Sequence, residues 1–224
     1  RYRVERLSEQ KMKLTGESKV LLGILATSIA FIGAAVFFFN KPAPTPKPYP
    51  KEALIAGDSH ATGNASASAY LVEFSDFQCP ACKAFTPTVD ALVKKYSDKL
   101  LFVYRHFPLD QHAFAIPAAL AAEAAGKQGK FWEMYKLLFV NQEKFSDAPW
   151  KDLANQLGLN LDQFGIDTVD PPDGKAMLLT KIERDKIAGL RLGVNSTPSF
   201  FLNGSKLTIA NPDDLKKAVE KVVQ

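Results

Sequence analysis

Residues 20–39, VLLGILATSIAFIGAAVFFF, run for twenty positions without a charge, between Lys19 and Lys41. A helix of that length and composition spans the hydrocarbon core of a bilayer, so the chain divides around it. A cleavable signal peptide is the competing reading. Its apolar region is typically about 7 to 15 residues and ends at a small-residue cleavage site. Here the run is longer and closes on Phe37, Phe38, Phe39 and Asn40. The expectation is therefore a retained single-pass anchor over 20–39. It follows a basic segment over 1–19 that favours a cytoplasmic N-terminus and sends the rest of the chain outside the cytoplasm.

The net charge of +4 invites a nucleic-acid reading until it is divided along the chain. Residues 1–39 hold six Lys or Arg against three Glu, which leaves 22 basic and 21 acidic residues for the remainder. A nearly neutral globular part with no basic patch excludes nucleic acid as a partner. From residue 42 to 50 every second residue is proline, PAPTPKPYP. Such a run is a semi-rigid extended spacer that reaches roughly 25 to 30 Å at about 3.1 Å per residue, and a linker is expected over 40–62.

The remaining residues, 63–224, suffice for one domain with one core. Tyr70 to Phe74 and Leu101 to Tyr104 read as buried strands. Between them Phe85, Val89, Leu92, Val93 and Tyr96 fall on one helix face, which makes a β-α-β unit. A helical stretch follows over about 109–193, with Gly193 as a C-cap. Strands at Ser199 to Leu202 and Lys206 to Ile209 flank Asn203-Gly204, a hairpin signal, and a last helix runs from Asp213 to Val223.

The chain contains two cysteines, both in one Cys-x-x-Cys, Cys79-Pro80-Ala81-Cys82. The pair lies where the first long strand gives way to a helix. Unpaired N–H groups and the helix dipole favour a thiolate there, and the thiolate is the attacking species in disulfide exchange. Pro80 suits the first helical position because its missing N–H is not needed. Cys82, one turn on, is placed to attack a mixed disulfide on Cys79. Hence Cys79 is expected as the nucleophile and Cys82 as the resolving thiol. A zinc site lacks two further ligands at suitable spacing, so no metal is expected. Haem attachment requires His where Lys83 stands. A structural disulfide closing so small a loop contributes little. No cofactor is expected. His106 and His112 read as surface or capping residues.

With VEFSDFQCPAC, FVYRHFPLDQHAFA, GKFWEMYKLLF and LGVNSTPSFFLNG in this order, the chain resembles the DsbA-like thiol-disulfide oxidoreductases of the thioredoxin superfamily. The resemblance implies an α/β thioredoxin-like fold with an inserted helical domain. It makes Thr197-Pro198 the cis-proline loop facing the cysteines and contacting substrate, the alternative being an ordinary trans turn. It matches Glu73 to a buried acid beneath the cysteines that relays the proton of Cys82, the alternative being an exposed edge position. Pro87 matches a helix proline of architectural role.

The implied activity is oxidation of client protein thiols outside the cytoplasm. Reoxidation is implied by a membrane quinone-linked partner of the DsbB-like or VKOR-like kind. A reductase or isomerase uses the same residues, and a tethered chaperone or binding module keeps the fold without turnover. Ala81 departs from the strongly oxidising founding member, which has His there, and a less oxidising couple is expected.

Overall fold

The computed structural model describes residues 15–39, 47–168 and 177–223. Most of the basic segment before the apolar run, the first part of the proline run and Pro171-Pro172 lie outside them. The chain divides into two compact units, one up to Pro46 and one from Lys47.

In the first unit, helix α1 (Gly16–Phe39) is the one helix among the described residues long and apolar enough to cross a membrane. None of its side chains is buried by protein. Its one threonine keeps its hydroxyl on the helix's own carbonyls, Thr27 Oγ1 donating to Gly23 O at 3.0 Å and to Ile24 O at 2.9 Å. A helix apolar all round beyond its first turn, with its threonine hydroxyl satisfied internally, suits a hydrocarbon environment.

The second unit opens with α2 (Lys51–Leu54), β1 (His60–Gly63), β2 (Ala69–Ser75), α3 (Pro80–Lys95) and β3 (Leu100–His106). The helical insert follows as α4 (Ala115–Lys127), α5 (Phe131–Val140), a 3-10 turn at Gln142–Asp147, α6 (Trp150–Gln156), α7 (Leu161–Thr168) and α8 (Met177–Arg191). The chain closes with β4 (Ser199–Leu202), β5 (Ser205–Lys206) and α9 (Pro212–Val223). The strands form one mixed sheet in the order β1-β3-β2-β4-β5. β2 lies at its centre, parallel to β3 and antiparallel to β4.

Every residue of β3, and all of β2 but Tyr70, is buried. Helices cover both faces, so these strands carry near-continuous apolar runs instead of an alternation. On one face Leu71, Phe102 and Phe200 pack with Phe85, Val89 and Leu92 of α3, Leu215 and Val219 of α9, and the insert. On the other, Val72, Phe74, Val103 and Phe201 pack with Leu54 and with Leu192 and Val194 after α8. α8 approaches that face through Gly189, where a Cβ would meet the Phe107 ring at 2.7 Å and the Phe74 ring at 3.0 Å.

The expected linker extends too far. Residues 47–62 belong to the domain: Leu54 is fully buried, and β1 adds an antiparallel edge strand to β3, pairing His60 with Tyr104. The tail of the proline run is also docked. Tyr49 N–H donates to Gly204 O at 2.8 Å, and its ring packs edge-on against Phe201. The strand expected over Lys206 to Ile209 is shorter, ending at Lys206. Asn203 (φ 48°) and Gly204 (φ 87°) both take left-handed conformations, as a two-residue hairpin turn requires.

Candidate active site

The carboxyl end of β2, the N-terminus of α3 and the loop entering β4 meet at the cysteines. Cys79 is the N-cap of α3 and Pro80 follows at its start. The loop before it is pinned by Asp76, whose Oδ1 accepts from Gln78 N–H at 2.7 Å and whose Oδ2 accepts from Leu109 N–H at 2.9 Å. Asp76 Oδ2 also pairs with His112 Nδ1 at 2.7 Å. From the insert side, Gln142 Nε2 donates to Phe77 O at 2.7 Å and to Cys79 O at 3.1 Å. Asp76, His112 and Gln142 thus fix the backbone that carries Cys79, and sequence reasoning singled out none of them for it.

Both cysteines are free thiols, Cys79 6% exposed and Cys82 fully buried. Cys79 Sγ donates to Thr197 O at 3.4 Å, and the Thr197–Pro198 peptide is cis. The Cys82 thiol, donating a hydrogen bond to Cys79, holds the Cys79 thiol down to about 5, against the opposing effect of burial. The N–H groups of Cys82 and Ala81 add to the lowering, as a helix N-terminus should, and the Thr197 hydroxyl lies close by without hydrogen-bonding geometry. Burial pushes Cys82 the other way, well above its ordinary value, with the bond to Cys79 and the nearby Glu73 charge adding to the rise. One thiol is poised as thiolate and its neighbour as thiol.

Glu73 is 1% exposed, which removes the edge-position alternative. It sits on β2 between Tyr104 of β3 and Phe200 of β4. Burial pushes its carboxyl up to about 8, the charges of Cys79 and Asp90 contribute, and Ser75 opposes the rise. The Ser75 hydroxyl lies close to Glu73 and Cys82 but in hydrogen-bonding geometry with neither. The structure therefore brings together Cys79, Pro80, Ala81, Cys82, Glu73, Thr197 and Pro198. Helix α3 runs through Pro87 without ending.

His106 is not a surface residue. It is 1% exposed, and its Nε2 pairs with Glu123 Oε1 at 2.7 Å. His60 Nε2 pairs with the same oxygen at 2.9 Å, and Lys181 Nζ donates to Glu123 Oε2 at 2.7 Å. Among the described residues no group of three or more His, Cys, Asp or Glu could hold a metal ion. This cluster is a salt-bridged clasp between the sheet and helices α4 and α8.

The thioredoxin family model matches residues 56–221. Among curated proteins, the Na(+)/H(+) antiporter NhaA 1 of Mycolicibacterium gilvum is 34% identical over 199 residues, which cover 85% of this chain and 31% of that protein. The chain spans less than a third of the length of the curated relatives it matches. Among solved structures, a thioredoxin-like oxidoreductase from Silicibacter pomeroyi superposes with a TM-score of 0.64 at 25% identity, covering 77% of this chain and 96% of that one. The thiol-disulfide exchange protein alpha-DsbA2 from Wolbachia pipientis superposes with a TM-score of 0.67 at 22% identity, covering 77% and 91%. The chain belongs to the thioredoxin family, in the DsbA-like form of its fold.

Proposed function

We propose that the protein is a membrane-anchored thiol-disulfide oxidoreductase that oxidises client thiols outside the cytoplasm. The observation that carries the reading is the split pair, a Cys79 thiol held down to about 5 beside a buried Cys82 pushed far up. In the oxidised enzyme a client thiolate attacks Cys79 Sγ, the Cys79–Cys82 bond breaks, and Cys82 leaves as a thiolate. So basic a thiolate in a buried place takes a proton at once, and Glu73, neutral up to about pH 8, is the donor. A second client thiolate then attacks the client sulfur of the mixed disulfide and expels Cys79 as a stable thiolate. The client loses two electrons and two protons. Cys79 and Cys82 gain the electrons, Cys82 takes the proton of Glu73, both client protons go to solvent, and Glu73 takes its proton back from Cys82 when the pair is reoxidised. Thr197 beside Cys79 is the place for the client backbone.

An acidic Cys79 favours the oxidising direction because it stabilises the reduced enzyme relative to its disulfide. Helix α1 supports single-pass anchoring with the N-terminus in the cytoplasm. Such an enzyme requires reoxidation by a membrane partner of the quinone-linked, DsbB-like or VKOR-like kind. The test is oxidation of a dithiol peptide by the full chain in lipid nanodiscs with oxidised glutathione as the terminal oxidant. Cys79→Ser abolishes turnover on this reading, and unchanged turnover in that variant removes it.

A further inference from the structure

The sheet of the second unit has two poles. β2 and β3 run towards the cysteines, so their first residues, the Asn203-Gly204 turn and the far end of α3 gather at the other pole. There Tyr70 N–H donates to Asn203 Oδ1 at 2.8 Å, and Asn203 N–H donates to Tyr70 O at 3.0 Å. Sixteen residues of α3 separate this pole from Cys79, a distance of about 24 Å along the helix. α9 ends there too, since Lys95 Nζ donates to Glu220 Oε1 at 2.9 Å and Tyr96 OH donates to the same oxygen at 3.4 Å. The first residues of the unit lie at this pole as well, with Tyr49 on the Gly204 turn and Lys51 Nζ 5.3 Å from the centre of the Tyr70 ring.

Folding collects charge here that no run in the sequence displays. Lys94, Lys95 and Lys99 come from the end of α3 and the turn beyond it, Lys217 and Lys221 from the last turns of α9, and Lys51 from α2. All of them are exposed. Against them stand Glu52, Asp98 and Glu220, and Glu220 is already held by Lys95 and by the charge of Lys216. The globular part is nearly neutral as a whole, so the basic excess at this pole is offset by acid elsewhere. Among the lysines Tyr49 is 37% exposed and Val222 41%. An amphipathic ring and an aliphatic side chain set between long lysines match the headgroup level of a bilayer, where such rings settle and lysines reach outward with their ammonium groups.

We propose that this pole is a docking surface for anionic lipid headgroups. The surface rests on the membrane-anchored reading, because an anchor keeps lipid within reach, and it goes beyond that reading by giving the thioredoxin-like unit a preferred face towards lipid. Charge complementarity selects the partner: lysine ammonium groups meet headgroup phosphates as point charges and require no shaped pocket. The attraction extends about 8 Å at physiological ionic strength, so it acts only while the pole lies on the headgroups, and salt weakens it. A unit docked in this way turns the N-terminus of α3, with Cys79 and Thr197, away from the lipid and towards exported clients.

The test uses the full chain in nanodiscs of phosphatidylcholine, with or without added phosphatidylglycerol, treated with a neutral amine-acylating reagent and read by mass spectrometry. Lys95, Lys99, Lys217 and Lys221 are acylated about 5-fold more slowly in the anionic discs, and high salt restores the rate. Lys144 and Lys151, exposed on the insert, react alike in both. Lys94→Gln, Lys99→Gln, Lys217→Gln and Lys221→Gln, combined in one chain, return Lys51 and Lys95 to their rates in the uncharged discs. Equal rates at the pole in the two kinds of disc overturn the surface. So does an equal slowing by soluble polyphosphate in the uncharged discs, which marks a site for polyanions in solution instead of lipid. If the chain elutes apart from the discs, it is the anchored reading that fails.

Discussion

At the scale of single residues, the division of labour between Cys79 and Cys82 is set by position. Cys79 caps the helix and receives the N–H groups of Ala81 and Cys82, whereas Cys82 is sealed one turn deeper beside a carboxyl. A reduced chain followed by thiolate absorbance titrates with a midpoint of about 5, and Cys82→Ala moves that midpoint up, since the Cys82 thiol is the first cause of the lowering. Because the folded value lies below the unfolded one, the stabilisation of the reduced form is fully present above about 9 and is lost as pH falls through about 5.

Glu73 has the opposite sign. Its carboxyl is raised from 4.5 to about 8, so between those values the unfolded chain gives up a proton that the folded one keeps, and stability falls as pH rises. Glu73→Gln removes this slope. Urea unfolding shows the variant gaining on the parent between pH 5 and pH 8, by up to about 1.4 kcal/mol for each step of one in pH, while its client oxidation is slowed. A variant whose advantage does not grow with pH contradicts the buried, neutral acid.

At the scale of elements, the insert is held to the sheet by charge as well as by packing. Burial opposes ionisation of Glu123, but hydrogen bonds from His106 and His60 hold its carboxyl below the usual carboxylate range, and Lys181 from α8 closes the clasp. The contribution of a lowered carboxylate is present above its unfolded value and is lost as pH falls through its folded one. Glu123→Ala leaves three buried or half-buried basic groups without their anion and costs about 3–5 kcal/mol in denaturant unfolding. The hairpin is a second fastening point. A Cβ on Gly204 would come within 2.4 Å of Tyr49 O, at a φ of 87°. Gly204→Ala destabilises the fold by more than about 1 kcal/mol and frees residues 47–50 to proteolysis.

These fastenings explain what was legible in advance. β2, β3, α3, the hairpin turn and α9 announce themselves through local periodicity and turn chemistry, and the Cys pair through its isolation in the chain. β1 and the docking of Tyr49 carry no local signal, because a four-residue edge strand and a proline-rich stretch take their place from what they pack against. His60, His106 and Glu123 are scattered over more than sixty positions, so neither their meeting nor the burial of His106 could be read from spacing. Asp76 and Gln142 stayed hidden for the same reason, since loop-pinning residues are defined by the backbone they reach.

At the scale of the whole molecule, a near-neutral thioredoxin-like unit follows an apolar helix across a proline-rich joint. An anchoring α1, as proposed, confines exchange chemistry to the neighbourhood of a membrane. Its redox poise follows from the site. A Cys79 thiol at about 5 lies between the values of about 7 for thioredoxin and about 3.5 for DsbA, and Ala81 offers no polar group to the thiolate. A less oxidising couple than DsbA is expected, with a reduction potential below about −120 mV measured against glutathione buffers. The chemistry itself is tested most directly by trapping. The full chain carrying Cys82→Ala, incubated with a single-cysteine peptide activated as a mixed disulfide, accumulates a stable peptide adduct on Cys79, and Cys79→Ala accumulates none at neutral pH. An adduct on Cys82 in the second variant, or none on Cys79 in the first, would contradict a nucleophilic Cys79 resolved by Cys82.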